Sequence, residues 1–114
     1  MHELSVCQGL MRQVEHIAAE NKAKAVDRIL LKVGALSGVE PGLLEHAFTI
    51  AREGTVAARA KLEVETGPVR VRCRVCNGGG EVAVNRLVCP DCGGWQLDVS
   101  EGEELLLLSL DLET

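Results

Sequence analysis

Four cysteines, arranged as two Cys-x-x-Cys pairs, are the residues best placed to do chemistry in this chain of 114 residues. Cys73 and Cys76 form one pair, Cys89 and Cys92 form the other, and twelve residues separate them. A two-residue gap lets both sulfurs of a pair turn toward one point, and two facing pairs complete a tetrahedron. The spacing predicts a closed metal site, which we expect to be structural rather than catalytic because no ligand position is left open.

Zinc is the metal that this ligand set favours. Iron of the rubredoxin type uses the same four thiolates, and the sequence alone does not separate these two metals. A thioredoxin-type redox site is a weaker interpretation, because a single pair would be enough for it. A redox site would also leave thiols that titrate freely in the metal-loaded protein.

The residues around the cysteines are expected to stabilise thiolate charge. Glycines follow both pairs, at 78–80 and 93–94, and allow backbone N–H groups to point at the sulfurs. A divalent ion with four thiolates carries a formal charge of about −2, which nearby cations can offset. Four arginines crowd this segment, and we expect them to have that role: Arg70, Arg72, Arg74 and Arg86.

A histidine at position two offers a different kind of metal site. Ni(II) or Cu(II) can be held by three nitrogens in one plane: the free α-amine of Met1, the deprotonated backbone amide of His2 and the His2 imidazole. A fourth nitrogen or oxygen, from Glu3 or elsewhere, would complete the square that these ions favour. Residue type alone favours a solvated terminal histidine, so position makes this site feasible without establishing it.

The remaining reactive side chains have simpler interpretations. Cys7 falls on the apolar stripe of a predicted helix, which favours a small buried hydrophobic residue. His16 and His46 fall on the outer faces of their helices, so we expect both at the surface.

Periodicity predicts the elements that must position these residues. Apolar residues recur at three- and four-residue intervals over about 4–20, as in an amphipathic helix. Pro41 suits the first turn of a second helix that stops before Gly54, with Glu40 placed to cap it or to complement its dipole. Alternating or β-branched runs predict three strands, at 29–33, 61–66 and 104–113.

The last of these strands is rich in leucine and needs a sheet to join. Its even-numbered residues are predicted to share one face: Leu106, Leu108, Leu110 and Leu112. The simplest partner is the sheet of the N-terminal part, and Gly67 with Pro68 marks the boundary before the cysteines. The sequence therefore predicts one domain comprising 1–67 and 100–114, and an inserted domain comprising 68–99.

Composition weighs against nucleic acid and membranes as partners. The net charge is −5 and aromatic residues make up 2% of the chain, whereas nucleic-acid binding needs a basic surface or aromatic stacking platforms. The N-terminus does not have the pattern of a secretory signal, and the run Leu105–Leu108 is far shorter than the roughly 18 apolar residues of a membrane span. We expect a cytoplasmic protein, in which paired cysteines hold metal more often than they form disulfides.

The whole chain resembles the HypA/HybF family of nickel metallochaperones of hydrogenase maturation. Length, order and spacing agree from end to end, and an MHE start combined with two Cys-x-x-Cys pairs is specific. The segments that carry the resemblance are Met1–Ser5, Gly34–Pro41, Cys73–Cys76, Cys89–Gly93 and Leu108–Glu113.

The resemblance implies an α+β fold, in which a small three-stranded mixed sheet with two helices binds nickel and carries an inserted four-cysteine domain of the zinc-ribbon type. It makes His2 the leading ligand of a transported Ni(II), with Met1 and Glu3 supplying terminal or backbone nitrogens and the Glu3 carboxylate as a further contributor. Glu40 occupies a place where some relatives carry an aspartate near the nickel. The four cysteines would hold a structural Zn(II).

The resemblance also implies a carrier that is not an enzyme. Its partners would be the nickel-handling GTPase HypB and the large subunit of [NiFe]-hydrogenase, and some relatives also serve urease. The cysteine module contains no histidine, which argues against the histidine-driven zinc switch of some relatives. The fourth nickel ligand stays open, as does whether nickel is bound by one chain or bridged between two in a homodimer.

The alternative class of function is a zinc-ribbon module that recruits a protein partner. This alternative predicts stoichiometric zinc, no specific nickel site and tolerance of an N-terminal tag.

Overall fold

The computed structural model describes residues 2–114, which form two helices and six strands in an α+β arrangement. The strands make two three-stranded sheets, with the orders β2-β1-β6 and β4-β3-β5. The predicted fold class is therefore confirmed. The elements are α1 Glu3–Glu20, β1 Ala25–Gly34, α2 Pro41–Ala51, β2 Lys61–Gly67, β3 Val69–Cys73, β4 Gly79–Val82, β5 Leu97–Glu101 and β6 Leu105–Glu113.

The chain divides into two compact units. The first contains the chain up to Leu31 together with Val39–Glu65 and Leu106–Thr114, and the second contains Lys32–Gly38 and Thr66–Leu105. The inserted domain predicted at 68–99 lies within the second unit. The segment Lys32–Gly38, which precedes α2 by sequence, belongs to the same unit.

The core of the first unit is built by the apolar stripes of both helices and by β1. The stripe of α1 is buried as its periodicity predicts, and the Cys7 thiol lies 3.5 Å from the Leu44 carbonyl oxygen of α2. Burial raises the pKa of this thiol, so Cys7 is the buried small hydrophobe that the sequence favours. The buried apolar residues that these three elements contribute to the first unit are Cys7, Met11, Val14 and Ala18 of α1, Leu44, Ala47 and Phe48 of α2, and Val26, Ile29 and Leu31 of β1.

The first sheet is mixed, as the resemblance implies. Arg28 of β1 forms an ion pair with Glu63 of β2. Four residues further along both strands, a Cβ on Gly67 of β2 would lie 2.6 Å from Lys32 Cε of β1. Residue numbers therefore increase in the same direction along β1 and β2. These two strands are therefore parallel, and α2 lies in the long connection that a parallel pair requires. On the other side of β1 lies β6. The Lys24 N–H donates to the Glu113 carbonyl at 2.7 Å and the Gly34 N–H donates to the Glu104 carbonyl at 2.8 Å, so β1 and β6 run antiparallel.

The side chains of β6 depart from the predicted alternation. Leu106 and Leu108 are 47% and 44% exposed, whereas Leu107, Leu110 and Leu112 are half-buried. The step of three residues between 107 and 110 breaks the two-residue period of a regular strand. The predicted alternation agrees with the burial of Leu110 and Leu112 but not with the exposure of Leu106 and Leu108, because the half-buried positions change from odd to even numbers within the strand.

The second sheet is antiparallel and centres on β3. Val69 pairs with Val82 and Arg72 with Gly79 across β4, while Cys73 pairs with Leu97 of β5. One face of β3 is buried through Val69, Val71 and Cys73.

Two of the arginines near the cysteines have carboxylate partners on or beside this sheet. Arg70 donates to Glu101 at 3.0 Å and Arg74 to Asp98 at 2.6 Å. Both guanidinium groups therefore face carboxylates, and the expectation that arginines of this segment offset thiolate charge stays a prediction.

None of the helices within residues 2–114 combines the length and the apolar character needed to cross a membrane.

Candidate metal sites

The two cysteine pairs lie on two backbone loops that repeat one another sixteen residues apart. In the first loop the Cys73 N–H donates to the Gly78 carbonyl at 2.8 Å, and the Asn77 N–H donates to the Cys73 carbonyl at 3.2 Å. In the second loop the Cys89 N–H donates to the Gly94 carbonyl at 2.7 Å, and the Gly93 N–H donates to the Cys89 carbonyl at 2.9 Å. Each loop therefore folds as one knuckle with its two sulfurs on the same side.

Both knuckles turn through a residue with positive φ. This residue is Asn77 in the first knuckle, at φ 60°, and Gly93 in the second, at φ 75°. Glycine adopts this left-handed conformation without steric cost, and asparagine is among the few other residues that tolerate it. The sequence after each second cysteine is therefore matched to the turn that the knuckle needs.

Backbone N–H groups point at the sulfurs in both knuckles. Cys73 Sγ accepts from Val75 and Cys76 at 3.4 and 3.5 Å, and Cys89 Sγ accepts from the two equivalent groups, both at 3.4 Å. Gly78 donates to Cys76 Sγ at 3.4 Å, which confirms that a glycine after the pair presents its N–H to a sulfur. Each N–H favours the thiolate form. The N–H groups of Cys76 and Val75 lower the pKa of Cys73 to about 7, whereas for Cys76 the Gly78 N–H lowers the pKa but the neighbouring thiols and burial outweigh it and raise the pKa.

The four sulfurs converge to the size of a tetrahedral zinc site. Cys73 Sγ lies 3.7 Å from Cys92 Sγ, Cys76 Sγ lies 3.6 Å from Cys89 Sγ, and all four atoms lie within 4.8 Å of one another. Four sulfurs at about 2.3 Å from a central zinc would be separated by about 3.8 Å. Within residues 2–114 no other cluster of three or more histidine, cysteine or acidic side chains comes together in this way. The cluster fits a structural zinc ion.

An aspartate that sequence reasoning did not single out joins the second knuckle to β4. Asp91 Oδ2 accepts the N–H of Gly79 at 3.1 Å, and a Cβ on Gly78 would lie only 2.1 Å from the same oxygen. Glycine at 78 therefore leaves room for the carboxylate. The Pro-Asp between Cys89 and Cys92 was visible in the sequence, but its partner lies twelve residues away and no local pattern reveals it.

Two of the three predicted nickel residues, His2 and Glu3, lie at the start of α1. Met1 lies outside the described residues. His2 is the N-cap of the helix, it is exposed, and its side chain makes no capping hydrogen bond. The first intrahelical bond runs from the Val6 N–H to the His2 carbonyl at 3.0 Å, so the His2 amide nitrogen lies ahead of the helical ladder.

The Glu3 side chain is directed to the start of α2. It is only 6% exposed, and its carboxylate accepts the N–H of Glu40 at 3.3 Å. The positive amino terminus and then the Glu40 N–H lower the pKa of Glu3 to about 2, so this side chain is a carboxylate at any physiological pH. Sequence reasoning missed this contact, because it joins residues 37 positions apart.

Glu40 has the capping role predicted for it. Its side chain accepts the N–H of Leu43 at 2.7 Å, and Pro41 follows as the first residue of α2. Glu3 and Glu40 thus connect the starts of the two helices.

The comparisons with known proteins agree over the whole length. A family described as "HypA: Hydrogenase/urease nickel incorporation, metallochaperone" matches residues 1–112. The hydrogenase maturation factor HypA of Nitrosospira multiformis is 46% identical over 114 residues, covering 100% of this chain and 99% of that protein. The protein of the same description from Aquifex aeolicus is 41% identical, with 99% and 98% covered.

A solved structure shows the same fold. The solution structure of the Ni metallochaperone HypA from Helicobacter pylori matches with a TM-score of 0.75 and 30% identity, covering 99% of this chain and 98% of that one. The sequence resemblance is thereby confirmed, and the chain belongs to the HypA family of nickel metallochaperones for hydrogenase maturation.

Proposed function

We propose that this protein is a cytoplasmic carrier that binds Ni(II) at the start of α1 and delivers it for the maturation of [NiFe]-hydrogenase, with no catalytic activity of its own. The observation that carries the proposal is the position of His2, which is an exposed helix N-cap whose imidazole is not used for capping. The family described as nickel-incorporating spans the chain from this end. The proposed partners are the GTPase HypB, which exchanges nickel with the carrier, and the hydrogenase large subunit that receives it.

The proposed nickel ligands are nitrogens in one plane. His2 supplies its imidazole and backbone nitrogen, Met1 supplies the α-amine, and Glu3 supplies its backbone nitrogen. A metal can displace the amide protons of His2 and Glu3 without breaking a bond of the helical ladder, because the first bond of that ladder is donated by the Val6 N–H. Planar nitrogen coordination is the geometry that Ni(II) and Cu(II) prefer.

The Glu3 carboxylate is proposed to hold the site in place rather than to bind the metal. It is buried and accepts the Glu40 N–H, so it fixes the first turn of α1 against the start of α2. A Glu3→Gln variant should keep the backbone ligands but form a weaker hydrogen bond to Glu40, because a neutral amide is a poorer acceptor than a carboxylate.

Zinc is proposed to be held by Cys73, Cys76, Cys89 and Cys92 with a structural role. All four positions of the tetrahedron are protein sulfurs, which leaves no position for a substrate. We further propose that 68–99 folds as a domain that depends on this metal, whereas 1–67 with 100–114 forms the nickel-binding domain.

The proposal is tested by titrating nickel into protein with a native N-terminus and into His2→Ala. Loss of the imidazole should weaken nickel binding at least tenfold. His46→Ala, which removes an exposed histidine of α2, is the matched control and should bind as the unmodified protein does. Equal affinities for all three proteins would disprove the ligand role of His2.

A short N-terminal extension tests the amine separately. It leaves the His2 side chain intact but converts the α-amine into an amide, so nickel binding should weaken by a similar factor. If the extended protein binds nickel normally, the α-amine is not a ligand. The zinc-ribbon alternative is favoured if the unmodified protein retains one zinc per chain and shows no specific nickel binding.

A further inference from the structure

An apolar groove lies beside the second cysteine pair, and the proposed nickel function does not use it. Its volume is about 330 Å³, and it is lined mainly by Val82, Ala83, Arg86, Val88, Cys89 and Pro90. All of these residues belong to the second unit.

One cysteine of the metal cluster, Cys89, lines this groove together with its neighbour Pro90. Residues 83–96 contain no helix or strand, so their shape depends on the knuckle and its contacts. Cys89 Sγ fixes two backbone N–H groups of this segment, and Asp91 fixes the segment to Gly79 of β4. A groove of this shape therefore requires the folded cluster.

Large apolar side chains on the same segment are left in solvent. Val84 and Leu87 are exposed, and Trp95, the only tryptophan of the chain, is 77% exposed and lies two residues after the groove residue Gly93. Exposed apolar patches on a small unit mark contact surfaces, and tryptophan is among the residues most enriched where partners bind tightly. These side chains indicate a protein partner rather than a small polar ligand.

Arg86 gives the groove a specific charge. Within residues 2–114, Arg70 and Arg74 have carboxylate partners, whereas Arg86 forms no ion pair. A guanidinium at the side of an apolar groove is suited to a carboxylate, which it can bind with two parallel hydrogen bonds.

We infer that this groove is a docking site for a protein segment in which a leucine or valine side chain lies next to a carboxylate. The apolar side chain fills the groove between Val82 and Val88, and the carboxylate pairs with Arg86. The zinc cluster thereby has a second role, because it shapes a surface for a partner. Docking here requires zinc but not nickel, so its test is independent of the nickel proposal.

The experiment uses the full chain, loaded with zinc and free of nickel, and follows its backbone amides by ¹H–¹⁵N NMR. The probe is a capped pentapeptide in which leucine and valine alternate with glutamate, and the control peptide carries lysine in place of glutamate. The acidic peptide should produce saturable shifts at Val82, Val88 and Gly93, together with a change in Trp95 fluorescence. The lysine peptide should bind at least tenfold more weakly.

Two arginine variants separate docking from net charge. Arg86→Ala should weaken binding of the acidic peptide at least tenfold, whereas Arg72→Ala, which removes the same charge from β3 outside the groove, should change it less than twofold. Arg86→Glu should bind the lysine peptide in preference to the acidic one. Equal effects of Arg72→Ala and Arg86→Ala would overturn the inference.

Two further outcomes would also overturn it. If Arg86→Ala loses zinc in metal analysis while Arg72→Ala retains it, Arg86 stabilises the cluster rather than a partner. If the groove amides shift with protein concentration in the absence of peptide, a second copy of the chain occupies the groove.

Discussion

His2 occupies a position that helices normally give to a capping residue. Serine, threonine, aspartate and asparagine are preferred at an N-cap because their side chains accept a backbone N–H, and the His2 side chain does not do this. The helix therefore begins with a residue that contributes no capping energy. The imidazole is therefore left available for the ligand role proposed above.

Replacing His2 by asparagine should separate metal binding from helix stability. Asparagine can cap α1, so the variant should be more stable than the unmodified protein by about 0.5 kcal/mol, while its nickel binding is lost. Thermal unfolding followed by far-UV circular dichroism measures the first effect, because both helices lie in the first unit. A less stable asparagine variant would show that the imidazole supports the fold.

Glu3 should make the first unit sensitive to acid. Its pKa falls from the ordinary value of 4.5 to about 2 on folding, so its stabilising effect is complete above the ordinary value. Protonation removes the effect as pH falls from about 4.5 to about 2. The difference in unfolding free energy between the unmodified protein and Glu3→Gln should therefore shrink over this window.

Urea unfolding at a series of pH values, monitored by the helical signal in far-UV circular dichroism, tests this expectation. Glu45→Gln, which changes an exposed carboxylate of α2, is the control. Its difference in unfolding free energy from the unmodified protein should change little with pH. A difference for Glu3→Gln that stays constant between neutral pH and pH about 2 would contradict the assigned pKa.

At the scale of elements, β4 depends on a glycine at its first residue. Gly79 has a φ of 152°, and a Cβ at this position would lie 2.1 Å from the Val71 carbonyl oxygen of β3. Two separate effects therefore oppose any other residue here: an unfavourable backbone conformation and a clash with rigid backbone.

Alanine at position 79 should cost more than alanine at position 54. Gly54 also has a positive φ, of 70°, but a Cβ there would have nothing within 4 Å. We expect a loss of about 1 kcal/mol for Gly54→Ala from backbone strain alone, and of more than about 2 kcal/mol for Gly79→Ala. Chemical unfolding gives the two free-energy losses, with Trp95 fluorescence as the signal for Gly79→Ala and helical circular dichroism as the signal for Gly54→Ala. Equal losses would show that β3 can shift to make room for the added Cβ at position 79.

Local patterns in the sequence predict the elements of the first unit well. The three- and four-residue spacing of α1, and Glu40 with Pro41 at the start of α2, act within one or two turns, so a short window contains their physical cause. The same is true of the knuckles, in which only two residues separate the paired ligands. The sequence pattern does not predict β3, because Val69, Val71 and Cys73 alternate over only five residues and the last of them is also a metal ligand of the first knuckle.

Contacts between distant residues could not be predicted in this way. The Glu3 carboxylate could equally have been directed to solvent or to the metal, and only the packing of two helices places it against the Glu40 N–H. The pairing of Asp91 with Gly79 and the change of side within β6 have the same origin. Each depends on where the chain returns after many residues, which a periodic pattern does not encode.

At the scale of the whole molecule, removal of zinc should unfold the second unit while the helices persist. The segment 83–96 has no secondary structure of its own, and small units of this kind obtain their folding energy from the metal. Hydrogen exchange should show lost protection in β3, β4 and β5 after treatment with a chelator. Amides of α1 and α2 should remain protected.

Cysteine variants provide the matched comparison for this prediction. Cys76→Ser should release zinc and reproduce the effect of the chelator, whereas Cys7→Ala should keep one zinc per chain, since Cys7 lies in the core of the first unit. Protection of the second sheet that survives complete metal removal would show that the unit folds on its apolar residues alone.

The zinc cluster has two different sides, because each knuckle contributes one buried and one exposed cysteine. Cys73 and Cys89 are 1% and 2% exposed, whereas Cys76 and Cys92 lie at the surface. A competing ligand or an oxidant in solution therefore meets Cys76 and Cys92 first, and these two sulfurs come from different knuckles. We therefore expect metal exchange to begin at these two residues, so that either knuckle can release its ligand first.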